Sequence, residues 1–468
     1  MLTYPLEERG GLPLYEYLYR CIRSDILSGA LPAGEQLPSK RKLAEHLRIS
    51  VITVEGAYQQ LEAEGYVYTL PKRGFFVSRV EQPSAAGHPV PLPPLEQPPD
   101  WVLDLKSNRV DTSRFPVATW ARLTRQVLSE NREALLQPVP HQGLSALRQA
   151  LADDLRAYKG MAVSPQQIVV GAGAEYLYLL LAQLLDSGRL PGQGAVFAVE
   201  DPGYPKIRQV YRQCRVECRP VPLDEQGLCI AALEHSGATA VHLSPSHHYP
   251  TGLVTPISRR QELLRWAERS GGIIIEDDYD SEFRFAGRPI PTLQSIDDGG
   301  RVIYMNTFSQ TISPSMRMGF MVLPPRLLEQ YRQKLGFYAC TVPALDQHVL
   351  ARFLTGGHYE QHLARMRKEY RLRRSRVLEA FRTCSFANRI TISEQGAGLH
   401  FLLRLDTACT DENLRQRAEA RGVRLGFLSE YAAQPNPAYA HTLVINYAGL
   451  EGQRLPQAMA LLAEIFQT

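Results

Sequence analysis

The 468 residues are too many for one hydrophobic core and suit two or three domains. With 44% hydrophobic and 21% charged residues, the composition is that of a folded, water-soluble chain and excludes an intrinsically disordered one. A net charge of +4 is too small for this length to identify a nucleic-acid partner, so local clustering of charge has to decide that question.

The amino terminus, MLTYPLEERGG, carries charges where a signal peptide has its apolar stretch. The longest apolar runs, such as LYLLLAQLL from Leu177, fall short of the roughly 20 residues of a bilayer span, so a cytoplasmic protein without membrane association is expected. Seven cysteines without metal-ligand spacing read as reduced thiols; Cys214 and Cys218 have no nearby histidine, and no metal site is expected.

Helical spacing of Leu14, Leu18, Cys21, Ile22 and Ile26, stopped by Gly29, predicts a first helix. Ser39 then caps a second helix with the apolar face Leu43, Ala44 and Leu47. After a tight turn, Ser50 caps a third with Val54, Ala57, Tyr58 and Leu61. Two short capped helices joined in this way predict a helix-turn-helix. Lys40, Arg41 and Lys42 stand in the first turn of the second helix, where the dipole disfavours cations by about 0.3–1 kcal/mol each, which suggests an anionic partner. VYTLPKRGFFVS reads as two strands around a tip bearing Lys72 and Arg73, a wing suited to a phosphate backbone.

The string from Pro13 to Val77 resembles the GntR family of winged-helix regulators. That resemblance implies a double-stranded DNA operator as partner, with Ser39, Lys40, Arg41, Ser50, Val51, Thr53, Lys72 and Arg73 at the contact. The family usually has a basic and then a polar residue after the serine, where this chain has Val51 and Ile52. Small apolar side chains there are expected to touch thymine methyl groups, giving a preference for T at the matching operator position.

Residues 1–80 thus form the DNA-binding module, and the proline-dense stretch over residues 81–100 is a linker. From 101 to 468, apolar runs alternate with amphipathic helices as in an α/β domain, with a smaller α+β subdomain from about 340. VVGAGAEYLYLLLAQLL is a strand, a glycine turn at Gly173 and Ala174, and a helix, an arrangement that presents N–H groups to a phosphate. VFAVEDPGYPKIRQVY follows a strand with Tyr204, Lys206 and Arg208. GGIIIEDDYDSEFRF is a buried strand ending in carboxylates, where Asp277 can pair with a protonated ring nitrogen and Tyr279 can reach a ring hydroxyl. VIYMNTFSQTISPSMRMGF ends its strand in Thr307 and Ser309, with Arg317 beyond.

Together and in this order these stretches resemble the fold type I aminotransferase domain. Joined to the front module, the chain resembles the MocR/GabR family of transcription regulators over nearly its whole length. The resemblance implies a homodimer, a small-molecule effector and a pocket for pyridoxal phosphate. Asp277 would contact the pyridine nitrogen, Tyr279 the ring hydroxyl and Ser309 and Arg317 the phosphate, with Tyr204 near the ring and Gly173 and Ala174 in the phosphate turn.

Gln310 occupies the position of the lysine that forms the Schiff base in that family, and a carboxamide has no nucleophilic amine, so transamination by the usual route is not expected. Other departures accompany it. Ala174 stands where a hydroxyl is usual, PVPHQG replaces an aromatic and acidic segment between Pro138 and Gly143, and Val444 stands about where many relatives have arginine. Their number favours natural loss over a single engineered change.

The reading that follows is a sensor that keeps the fold without the chemistry. Its ligand would be noncovalent pyridoxal phosphate, a related phosphate ester or another compound in its place. Two alternatives stand beside it: an enzyme using another amine, for which Lys206 is the candidate, and a domain that serves assembly alone. His247 and His248 fill the loop where aminotransferases often have an asparagine, and their opposed directions argue against a metal. Lys368, Arg371, Arg373, Arg374 and Arg376 are expected to form a basic face on a long helix.

Overall fold

The computed structural model describes every residue except 81–98, 108–109, 131, 187–193, 286–289, 394–395, 451, 453 and 468, and the side chain of Glu8. The linker expected over 81–100 therefore lies, but for its last two residues, outside the described residues. The chain divides into two compact units, Met1–Pro98 and Pro99–Thr468. Among the described residues no helix is long and apolar enough to cross a membrane.

The first unit contains α1 (Leu14–Ser28), α2 (Lys40–Leu47), α3 (Val51–Ala63), β1 (Val67–Leu70) and β2 (Gly74–Val77). Both serine caps form: Ser39 Oγ accepts the Lys42 N–H at 3.3 Å and Ser50 Oγ accepts that of Thr53 at 3.1 Å. The periodic apolar residues Leu18, Ile22, Leu43, Val54, Tyr58 and Leu61 meet in one core. β1 and β2 pair antiparallel, and Arg73 N–H donates to Leu70 O across a turn with Pro71 second and Lys72 third. Lys72 has φ +61°, a conformation glycine would adopt without strain.

The second unit opens with β3 (Leu103–Asp104), α4 (Val117–Glu130), α5 (Ser145–Lys159), β4 (Ile168–Gly171), α6 (Ala174–Asp186), β5 (Val196–Asp201), α7 (Pro205–Gln213), β6 (Glu217–Asp224) and β7 (Gly227–Leu228). It continues with α8 (Ile230–His235), β8 (Ala240–Leu243), α9 (Ile257–Ser270), β9 (Ile273–Asp277), β10 (Val302–Thr307), β11 (Gly319–Val322), α10 (Pro325–Leu335) and α11 (Ala344–Thr355). The last elements are α12 (His358–Thr383), β12 (Ile390–Ser393), β13 (His400–Leu405), α13 (Asp411–Glu419), β14 (Val423–Arg424), β15 (Thr442–Asn446) and α14 (Arg454–Phe466).

Eight strands form one sheet in the order β4-β11-β10-β9-β8-β5-β6-β7. The run from β10 through β9, β8 and β5 to β6 is parallel, so these strands end on one edge, the place where α/β sheets collect ligand-binding loops. Strand alternation sends neighbouring side chains to opposite faces. On β9, Glu276 meets Arg260 of α9 while Asp277 meets Tyr178 of α6.

The smaller subdomain is a three-stranded antiparallel sheet, β12-β13-β15, whose core begins at Met366 and extends to Phe466. It also draws in Leu103, Leu105 and Val110, because β3 pairs with β14. Residues from Val342 to Leu363, assigned by sequence to this subdomain, pack into the large-domain core with α4 and α5 instead. The basic face expected on α12 is also corrected. Arg373 is buried, donating to Ala448 O and, at 2.8 Å, to Asp111 Oδ2, while Lys368, Arg371 and Arg376 remain exposed.

Candidate functional site

A cavity of about 790 Å³ lies over the carboxyl ends of the parallel strands. Asp277, Tyr279, Ser309, Gln310, Arg317, Tyr204 and Ala174, named from sequence, all line it. Gly173 does not line it but lies beneath Arg317: with φ +87°, a Cβ there would stand 2.7 Å from the guanidinium Nη2.

Asp277, 5% exposed at the end of β9, accepts the Tyr178 hydroxyl at 2.5 Å and lies 3.3 Å from His242 Nε2. His242 Nδ1 in turn meets the Tyr211 hydroxyl at 2.7 Å. The carboxylate is thereby fixed at the cavity floor, oriented for a cationic N–H donor. Tyr279 places its hydroxyl 3.2 Å from His247 Nδ1, and His247 is held by Asp280 at 2.8 Å. Tyr204 and Tyr249, with centroids 5.9 Å apart and nearly perpendicular, make an aromatic wall.

The other end of the cavity is ionic. Glu175, in the first turn of α6, receives Arg317 Nη2 at 2.5 Å and Lys206 Nζ at 3.0 Å. Burial opposes its ionisation, yet the two cations pull its carboxyl down to about 2. Lys106 pairs with Glu430 at 2.6 Å, and Arg424 reaches Ser107 Oγ at 3.1 Å and Asp104 at 3.5 Å. Val444 is buried in β15, paired with Leu402, and is not part of the cavity wall.

Glu200, 9% exposed at the end of β5, accepts the Ser244 N–H at 2.9 Å. Burial pushes it up to about 8, against that hydrogen bond and against an ordinary value of 4.5. Such a carboxyl binds its proton more tightly folded than unfolded, so stability falls as pH rises from about 4.5 to 8. Glu200→Gln, which imitates the protonated form, is expected to melt like the wild type near the low end of that range and increasingly above it toward the high end. A melting-temperature difference independent of pH would contradict the assignment.

In the first unit, Arg41, Lys42, Arg48, Lys72 and Arg73 are exposed, and so are Ser39, Ser50 and Val51. Lys40 is tied to Glu55 at 2.5 Å, and Thr53 shares its hydroxyl with Ser50 Oγ at 2.8 Å. Of the contact residues named from sequence, Ser39, Ser50 and Thr53 therefore build the helix starts, while Arg41, Lys72, Arg73 and Val51 present free surface.

Residues 14–77 match the family model for bacterial regulatory proteins of the gntR family, and residues 101–454 match that for aminotransferase class I and II. The HTH-type transcriptional regulator YdeL of Bacillus subtilis is 35% identical, with 94% of each chain covered. The probable rhizopine catabolism regulatory protein MocR of Rhizobium meliloti is 31% identical over 98% of this chain and 95% of its own. The chain belongs to the MocR-type transcription regulators.

A further relative of this MocR-type regulator is the pyridoxine biosynthesis regulator PdxR of Corynebacterium glutamicum, 33% identical over 88% of this chain and 87% of its own. Among solved structures, the second unit is similar to kynurenine aminotransferase of Pyrococcus horikoshii, with TM-score 0.69 and 24% identity, covering 78% of this chain and 90% of that one. LysN, the α-aminoadipate aminotransferase of Thermus thermophilus, gives 0.68 and 25%, covering 78% and 92%. The regulator thus carries a GntR-type DNA-binding module and an aminotransferase fold, a fold whose family binds pyridoxal phosphate.

The ring end of the regulator's cavity fits a flat protonated heterocycle: a fixed carboxylate below, a phenol beside and aromatic walls. At the phosphate end the cations Arg317, over Gly173, and Lys206 already hold Glu175, and the Ser309 hydroxyl lines the same cavity. At position 310 the side chain offers a carboxamide and no amine. Tyr178, His242, Glu175, Glu200 and Arg424 were not identified from sequence as ligands. Only Glu175 and Tyr178 carried a signal, their place in the first turns of the helix after the glycine turn.

Proposed function

We propose that the regulator binds its operator through the winged helix and senses a small molecule in the aminotransferase-like cavity without transaminating it. The observation that carries the reading is Gln310 in the wall of a cavity that also presents Asp277, Tyr279 and Arg317. Pyridoxal phosphate, when bound, supplies an aldehyde and an electron-withdrawing ring. Asp277 would hold the ring nitrogen and Arg317 with Ser309 the phosphate, while Gln310 offers no nucleophile to the aldehyde. Lys206 is a poor substitute, because its ammonium is held by Glu175 and raised further from deprotonation by that hydrogen bond.

The sensor acts as a homodimer in the cytoplasm, and two winged helices would read two half-sites. Binding alone changes nothing; the effector must favour one arrangement of the DNA-binding modules over another. The test is titration of the full-length protein with pyridoxal phosphate, followed by borohydride and intact mass. A free-aldehyde spectrum, no mass gain and a shifted melting temperature support the reading. A covalent adduct on Lys206 overturns it and returns an enzyme.

For the wing, Lys72→Ala with Arg73→Ala is expected to reduce the slope of log affinity against log salt by about 2, one for each phosphate that is no longer neutralised. Binding curves at several salt concentrations measure it. An unchanged slope would remove the wing from the DNA interface.

A further inference from the structure

The first turn of α3 places its polar side chains out of play. Ser50 and Thr53 satisfy each other, and Ser50 Oγ also takes the Thr53 N–H. Glu55, the next polar side chain, is neutralised by Lys40. What remains outward is aliphatic: Ile52 is 79% exposed and Val51 41%.

Helical geometry fixes their direction. At about 100° per residue, Ile52 lies roughly 160° around the axis from Val54, whose side chain is fully buried in the core. Gln59, two turns further along the same face, is also exposed. A single exposed isoleucine is ordinary on a protein surface. Here, however, it stands at the amino-terminal end of the second helix of a helix-turn-helix, the part that meets base edges in the major groove. Exposed Arg41, Lys42, Arg48, Lys72 and Arg73 in the same unit supply charge complementary to phosphate.

The feature of the major groove that best suits an aliphatic group is the C5-methyl of thymine, the one apolar group that protrudes there among hydrogen-bond donors, acceptors and flat ring C–H edges. We propose that Ile52 is the principal sequence reader of the operator half-site and that it reads a thymine methyl, with Val51, half as exposed, as its flank. This rests on the DNA-binding reading and adds the chemical feature that is recognised. Gln59, exposed two turns along the same face, suits an adenine edge.

The test begins by selecting duplexes from a randomised library with the full-length protein at near-physiological salt. Each thymine of the tightest duplex is then replaced singly by deoxyuridine, which removes the methyl and keeps every hydrogen-bonding group. Loss of about threefold to tenfold in affinity is expected at one thymine per half-site. Ile52→Ala should bind wild-type and uracil-substituted duplexes equally at that position, while its melting temperature, the check on folding, stays as in the wild type because the side chain is 79% exposed. The proposal is overturned if no thymine is sensitive to the replacement, if Ile52→Ala still discriminates thymine from uracil, or if Val51→Ala alone abolishes discrimination. If the protein enriches no sequence at all, DNA recognition itself fails along with it.

Discussion

Gln310→Lys is expected to turn a protein that releases pyridoxal phosphate on dialysis into one that keeps about one equivalent per chain through borohydride and denaturation. The side chain at 310 borders the same cavity as Asp277, Tyr279 and Ser309, so an amine introduced there meets any aldehyde whose ring nitrogen lies on Asp277. The substitution exchanges one half-buried polar side chain for another of greater reach, and the fold should survive it. Intact mass with and without borohydride gives the answer. Retention by the variant and release by the wild type place the pyridoxal ring in this cavity and assign its looseness to one missing amine. Failure of both to retain it would remove pyridoxal phosphate from the possible ligands and leave a different effector.

The largest loss of stability is expected from Arg260→Leu. Arg260 is fully buried and donates to Thr255 O at 3.0 Å, Pro291 O at 3.0 Å and Pro245 O at 2.8 Å, with Glu276 at 3.4 Å. Glu276 is buried too, pushed up to about 7 by burial, and accepts the N–H groups of Leu293 and Gln294. Removing the guanidinium leaves three carbonyls and a carboxylate without their donor, a loss of about 3–5 kcal/mol. Denaturant unfolding of the second unit measures it. Neutralising the carboxylate as well, Arg260→Leu with Glu276→Gln, which keeps an acceptor for the Leu293 and Gln294 N–H groups, should cost less than Arg260→Leu alone. A single variant within about 1 kcal/mol of wild type would show that the pair supports nothing. Because Glu276 directly precedes Asp277, partial loosening should also weaken ligand binding.

What sequence could reveal depended on distance along the chain. The helix starts at Ser39 and Ser50 and the turn over Pro71 and Lys72 are local events, governed by residues within four positions of one another. Asp277 was legible because it closes a β-branched strand of a parallel sheet, whose strands end together, whereas Ser309, Gln310 and Arg317 were assigned through the resemblance to aminotransferases. The residues that orient them were not. His242 reaches Asp277 from β8 and Tyr178 reaches it from α6, a juxtaposition created by strand order alone. Arg373 was misread for the opposite reason: a run of arginines looks uniformly solvated, and only the packing of α12 shows that one of them turns inward to Asp111.

Glu175 gives the pocket a set-point. Arg317 and Lys206 come with their own counter-ion, so an arriving dianion trades places with a carboxylate and gains only the difference between two ion pairs. The apparent dissociation constant then exceeds the intrinsic one by the factor with which the cations prefer their internal partner. Under the proposed reading, background concentrations of phosphate compounds would be ignored, and occupancy would begin only where the ligand outcompetes a side chain whose local concentration is fixed by the fold. In the sensor proposed above, a single residue lying outside the ring-binding groups would thereby tune the concentration at which the regulator responds without altering which ring it prefers.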